Sequence, residues 1–131
     1  MFKKNEIALA VFLLSGCTIP NPNSLQVSAA PVSVSNRDAA FVTSALAEQT
    51  RDPEAARVRN LVGYSLSNGD RVVCGEFNGK NAYGGYVGYN EFYVRFRGNV
   101  LKASVFGEDQ AANAKATCGN AAAGSLMIQP T

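Results

Sequence analysis

The sequence predicts an α+β domain: a small antiparallel sheet of three or four strands, helices on one face of it, and one disulfide. Three observations carry this reading. Phe92, Val94 and Phe96 alternate with Tyr93, Arg95 and Arg97, the period of a half-buried strand. Asn68-Gly69 and Gly98-Asn99 are tight-turn signals between stretches rich in β formers, so the strands around them run antiparallel. An alanine-rich segment follows the last strand and ends at Cys118, whose natural partner is Cys74 in an earlier strand.

Residues 37–120 form the predicted domain. From Asp38 the apolar residues Phe41, Val42, Ala45 and Leu46 recur on one helical face, Ser35 or Asn36 stands where a cap belongs, and the helix is expected to end near Thr50. Asp52-Pro53-Glu54 then opens a short turn of helix, with Asp52 as cap and Pro53 in the first position, where its missing N–H costs nothing. Residues 58–66 read as a strand, and Ser67-Asn68-Gly69-Asp70 as a hairpin turn of type I′. Arg71 to Asn78 returns, with Val72, Cys74 and Glu76 pointing one way and Val73 and Phe77 the other. After the Phe92–Arg97 strand, residues 100–106 form a fourth, placing Leu101, Ala103 and Val105 together. Glu108 and Asp109 then start the alanine-rich helix, their charges favourable at its N-terminus. Residues 121–131 are expected to be a weakly specified tail.

The first 36 residues read differently. Lys3 and Lys4 precede an apolar run from Ile7 to Leu14, too short for a bilayer, which takes about 20 residues. The run closes on Leu14-Ser15-Gly16-Cys17, which resembles the bacterial lipoprotein signal in all four positions. That resemblance implies that residues 1–16 are removed as a signal peptide and that Cys17 becomes an acylated first residue, the membrane partner being reached through its lipid. Thr18, where Asp would suggest inner-membrane retention, favours the outer membrane, with the domain facing the periplasm. Residues 17–36, with Pro20, Pro22 and Pro31 among small polar residues, are expected to form a flexible tether.

Processing would remove Lys3, Lys4 and Glu6 and leave ten basic and nine acidic side chains. A nearly neutral chain with no cationic run argues against nucleic acid as a partner. Once Cys17 is assigned to lipid, Cys74 and Cys118 remain as an even pair in an oxidising compartment. A bridge across that interval would stabilise the fold by about 4 kcal/mol in the chain-entropy account. Two distant cysteines and no histidine make a poor metal site, and no pattern supports an organic cofactor.

Three stretches carry a second resemblance. Asp52-Pro53-Glu54-Ala55-Ala56-Arg57-Val58-Arg59-Asn60, Cys74-Gly75-Glu76-Phe77-Asn78-Gly79-Lys80-Asn81 and Gly84-Gly85-Tyr86-Val87-Gly88-Tyr89 resemble a group of small exported proteobacterial proteins without assigned activity. These read D-P-x-S-A-x-F-R-N, C-G-x-V-N-A-K-N and G-G-Y-x-G-F. The likeness covers about the middle third of the chain and departs at Ala55, Val58, Phe77, Gly79 and Tyr89. It implies a single exported domain and transfers no catalytic residue.

For function, the segment Gly79–Asn90 stands out because it is longer than a hairpin needs. Its four glycines permit unusual backbone angles, and Tyr83, Tyr86 and Tyr89, with Lys80 and Asn81, could contact an envelope protein or a glycan. The alternative is that these tyrosines fold back to close a sheet edge. The absence of histidine from the sequence excludes a Ser-His-Asp or Cys-His device. Asp70, Glu76 and Glu91 are the plausible acids, Glu76 with Lys80, Arg95 or Arg97 as a neighbour. Arg51, Arg57, Arg59 and Arg71 could form a patch for anionic lipid or lipopolysaccharide, but the interleaved Asp52, Glu54 and Asp70 argue for ordinary surface ion pairing instead. The expectation is a noncatalytic binding or structural lipoprotein, in a secretion or conjugation assembly or as an inhibitor of a hydrolase. Surface exclusion or phage immunity would use the same architecture, and a small envelope hydrolase acting through Glu76 or Glu91 is the rival class.

Overall fold

Six strands form one antiparallel sheet in the computed structural model of the chain, which describes residues 23–81 and 83–130. Cys17 and the signal segment lie outside the described residues. The elements run β1 (Leu25–Val32), α1 (Asn36–Ala47), a 3₁₀ turn at Pro53–Ala55, β2 (Arg57–Leu66), β3 (Arg71–Asn78), β4 (Asn90–Arg97), β5 (Val100–Val105), a 3₁₀ turn at Glu108–Gln110, α2 (Ala111–Ala123) and β6 (Ser125–Ile128). Their order across the sheet is β5-β4-β3-β2-β1-β6. The α+β class and the four strands β2 to β5 match the sequence reading. The other two strands correct it.

Both added strands come from stretches expected to be irregular. β1 occupies part of the expected tether, and β6 part of the expected tail; they pair with each other from Leu25↔Ile128 to Ser28↔Ser125. Val27, Ala29, Leu126 and Ile128 point inward from them. Pro31 is tolerated because the Ala29 N–H, two residues earlier and on the same side of the strand, already bonds Gly124 O just before β6 begins. The Pro31 nitrogen therefore faces a place with no neighbouring strand, and no ladder bond is lost.

The helices lie on opposite faces, not on one. Val42 and Leu46 of α1 pack with Val73, Phe77, Phe92, Val94 and Phe96. Ala114 and Ala121 of α2 pack on the other side with Val72, Cys74, Tyr64 and Tyr93. Alternation along β3 and β4 makes both possible, since Cys74 pairs with Tyr93 and Val73 with Val94 across the ladder. The Cys74–Cys118 disulfide, with Cα atoms 6.1 Å apart, ties β3 to α2.

Local chemistry explains the boundaries. Ser35 caps α1: its Oγ accepts the Asp38 N–H at 3.0 Å, and the Asp38 carboxylate accepts the Ser35 N–H at 3.1 Å. Asp38 also accepts from Arg71 at 2.9 Å. Asp52 precedes the 3₁₀ turn but makes no side-chain capping bond there; it faces Lys80 instead, at 3.8 Å. The β2–β3 turn is not type I′, which needs positive φ at two successive residues. Only Gly69 has it, at 96°, and the bonds Gly69 N–H to Leu66 O and Leu66 N–H to Asp70 O make a type I turn closed by a left-handed glycine. Gly75 allows a close approach, because a Cβ there would stand 2.9 Å from Arg59 O and 2.8 Å from a Leu61 methyl.

Candidate functional site

Gly79–Asn90 connects β3 to β4 as a small organised hairpin. Lys80 and Tyr86 form an isolated antiparallel bridge. Asn81 builds the turn: its Oδ1 accepts the N–H groups of Tyr83 and Gly85 at 3.0 and 3.1 Å, and its own N–H donates to Gly85 O at 2.8 Å. At the base, the Gly88 N–H donates to the Asn78 side chain at 3.1 Å. Gly84 and Gly88 take φ of 81° and 92°, which explains why this connection is rich in glycine.

The five predicted contact residues divide into two groups. Tyr83 is 96% exposed and Tyr86 half exposed, with Val87 beside them. Lys80, Asn81 and Tyr89 support the loop. Lys80 Nζ stands 5.5 Å from the Tyr86 ring while pairing with Asp52, and Asn81 is committed to the turn. Tyr89 lies beneath the Arg59 guanidinium, 3.7 Å from ring centre to Cζ. Tyr83 and Tyr86 thus retain the free surface.

A notch beside the loop gathers the two candidate carboxylates. Glu76 and Glu91 stand directly across the β3–β4 ladder, where like charges oppose pairing. A bulge in β2 relieves this. The register shifts between Arg59 and Val62, and Asn60 takes a φ of 56°, uncommon outside glycine. This turns Asn60 Nδ2 to Glu76 Oε1 at 2.6 Å while Arg59 donates to Oε2 at 3.0 and 3.3 Å. The Asn60 bond first, then the Arg59 bond, hold the Glu76 carboxyl below its ordinary range. Arg59, then, and none of the cations expected beside Glu76, is its partner. The notch opens into a cleft of about 230 Å³ lined by Asn60, Val62, Glu76, Glu91 and the disulfide, and into a shallower one of about 420 Å³ toward Tyr89 and Lys115.

Asp70 forms the site that the sequence reading missed. Expected in surface pairing, it is 1% exposed at the β2–β3 turn. Arg95 donates to it at 2.6 Å, Arg97 at 2.7 Å and the Asn68 amide at 3.0 Å. Arg95 also reaches Gln129 O at 3.0 Å and Arg97 reaches Asn68 O at 2.6 Å. Burial alone would raise the Asp70 pKa, but the bonds from Asn68, Arg95 and Arg97 outweigh it and the net shift is downward.

The chain matches no protein-family model, no curated protein sequence and no solved structure. Chemical capacity therefore rests on the geometry. Glu76 is stabilised as an anion, whereas a general acid at neutral pH needs its pKa raised. Asp70 is enclosed by its own cations and offers no free oxygen to a substrate. Among the described residues, no group of three or more His, Cys, Asp or Glu side chains could hold a metal ion. None of the helices among them is long and apolar enough to cross a membrane.

Proposed function

We propose that this protein is a lipid-anchored binding module of the bacterial outer membrane, using Tyr83 and Tyr86 to engage an envelope protein. The Cys17 lipid would hold the domain in place and the tyrosine hairpin would make the contact. The observation that carries the reading is the contrast within the loop. Its backbone is preorganised by Asn81 and its glycines, while the Tyr83 ring is almost wholly exposed and Tyr86 half exposed. Tyr, Gly and Asn on a shaped loop supply large contact area at low entropic cost, as in binding paratopes. A secretion or conjugation assembly, or a hydrolase to be inhibited, is the kind of partner such a loop fits; surface exclusion or phage immunity would use the same contact.

Cross-linking from intact envelopes tests it. The chain with Tyr83→Ala and Tyr86→Ala should lose the partner captured by the unmodified chain, and Cys17→Ser should lose acyl labelling and membrane retention. Undiminished capture by the double variant refutes the loop as the contact. The rival hydrolase reading draws on the Glu76–Glu91 notch. It predicts that Glu76→Gln or Glu91→Gln abolishes turnover of an envelope polymer while partner capture persists.

A further inference from the structure

The strand register places the tyrosine hairpin and the start of β1 at opposite ends of the sheet. Ala29 pairs with Leu66, so Leu25 lies beyond the β2–β3 turn, at the end that also carries the β4–β5 turn at Gly98-Asn99. β3 and β4 run from there to Asn78 and Asn90, where the Tyr83 hairpin begins. Following the pairing from Leu25 to Asn78 covers about 12 residues of strand, roughly 40 Å. From Cys17 to Leu25 there are eight residues of chain, at most about 28 Å when fully extended. Because β1 takes up part of the expected tether, the sheet is held far closer to the lipid than a tether reaching residue 36 would hold it.

The surface chemistry is sorted along the same axis. At the Leu25 end, Leu25, Val100, Leu101 and Met127 are exposed apolar side chains. Five cations, Arg37, Arg71, Arg95, Arg97 and Lys102, meet three carboxylates there, Asp38, Asp70 and Glu48, the last lining a hollow with Asn99 and Leu101. Arg37 belongs to this group because it bonds Asn99 of the β4–β5 turn at 3.3 Å. Arg37 and Arg97 are exposed. At the hairpin end, Asp52, Glu54, Glu76, Glu91, Glu108 and Asp109 outnumber the cations. Cations interspersed with apolar side chains, next to an acylated residue, match an anionic lipid surface.

We infer that the end of the sheet bearing Leu25 and the 67–70 and 98–99 turns seats on anionic lipid headgroups, so that Tyr83 is presented outward, away from the membrane that carries the anchor. This rests on the reading of Cys17 as lipidated, and it extends that reading from attachment to posture. A partner of Tyr83 is then one that approaches from across the periplasm, and a protein embedded flush in the same leaflet would not reach it.

Energy transfer from two labelled positions reads the posture directly. The acylated full chain, with Asn99→Cys or Tyr83→Cys carrying a donor dye, is reconstituted in phosphatidylcholine vesicles with or without phosphatidylglycerol and with a headgroup acceptor. With phosphatidylglycerol, quenching at position 99 should exceed that at position 83 several-fold. Raising salt, omitting phosphatidylglycerol, or adding Arg37→Glu and Met127→Ser should shrink the difference as the domain tumbles. Equal quenching in vesicle-bound protein, or stronger quenching at position 83, overturns the posture while leaving the anchor intact. Absence of acyl label on Cys17 overturns the anchor and the posture together, so the two failures are told apart.

Discussion

The two connections that flank β3 are made on opposite principles. The β2–β3 turn at residues 67–70 is short and closed, and it buries a carboxylate between two arginines. The β3–β4 connection at residues 79–90 is long and open, satisfies its own backbone, and leaves Tyr83 in solvent. Both are shaped by asparagine and glycine. At 67–70 the asparagine feeds the charge hub, with Asn68 donating to Asp70; at 79–90 Asn81 turns inward on the loop and no side chain from the sheet packs over Tyr83. Turn chemistry sets the path of the chain, and the side chains placed on that path decide whether a connection stabilises or remains available for contact.

Breaking the closed connection should have the largest effect. Asp70→Asn leaves Arg95, which is itself 3% exposed, without its compensating charge. Removing one partner of such a buried pair costs about 3–5 kcal/mol. Urea unfolding of the variant should show a correspondingly lower midpoint with an unchanged slope. A shift no larger than that of a surface substitution would mean that solvent already reaches the hub.

Next comes the staple between β3 and α2. Cys74→Ala with Cys118→Ala should destabilise by about 2–4 kcal/mol, measured against the oxidised protein under nonreducing conditions. Its effect on the open connection should be indirect: the hairpin's own hydrogen bonds do not depend on the bridge, so exchange protection at the Gly85 N–H should change only as global stability does.

Acid should also distinguish the two connections. Asp70 is held below its ordinary value of 3.8, so its contribution is fully present above that value and is lost as pH falls through the lower folded value. Acid unfolding should therefore steepen below about pH 4 in the unmodified chain and be flatter there in Asp70→Asn. The same profile for both would place the acid sensitivity elsewhere.

Much of the closed architecture was legible beforehand, and the failures have identifiable causes. The alternation of β3 and β4 and the Cys74–Cys118 pairing were readable because burial imposes period two and because, with Cys17 read as the lipid site, two cysteines remain as an even pair. β1 was not: Val27 and Ala29 provide little apolar bulk, and two alanines and a proline in the strand match tether composition. What makes it a strand is the long-range pairing with β2 and β6, which no local window contains. The buried Arg95 was within reach. A disulfide from Cys74 to α2 places that helix on the Cys74 face, and Tyr93 and Arg95 share it, so the charged face of β4 had to be covered. The hairpin was recognisable from its glycines and tyrosines, but the division between outward Tyr83 and Tyr86 and supporting Lys80, Asn81 and Tyr89 depends on Asn81 bonds and on the Arg59–Tyr89 contact.

The smallest stability effect should come from Tyr83→Ala, and that smallness is what sharpens the comparison. Tyr83 contributes its backbone N–H to the Asn81 turn, which alanine retains, while its ring is 96% exposed and buries almost nothing. Thermal unfolding should therefore stay within about 0.5 kcal/mol of the unmodified chain, the range of surface substitutions without special contacts. Tyr86→Ala should cost more, since it removes the ring beside Lys80. If Tyr83→Ala instead lowers stability as much as breaking the disulfide does, the ring packs against something in the folded protein, and the open connection is a second closed one. If stability is kept while partner capture is lost, the two ends of β3 are divided between holding the fold and making contact.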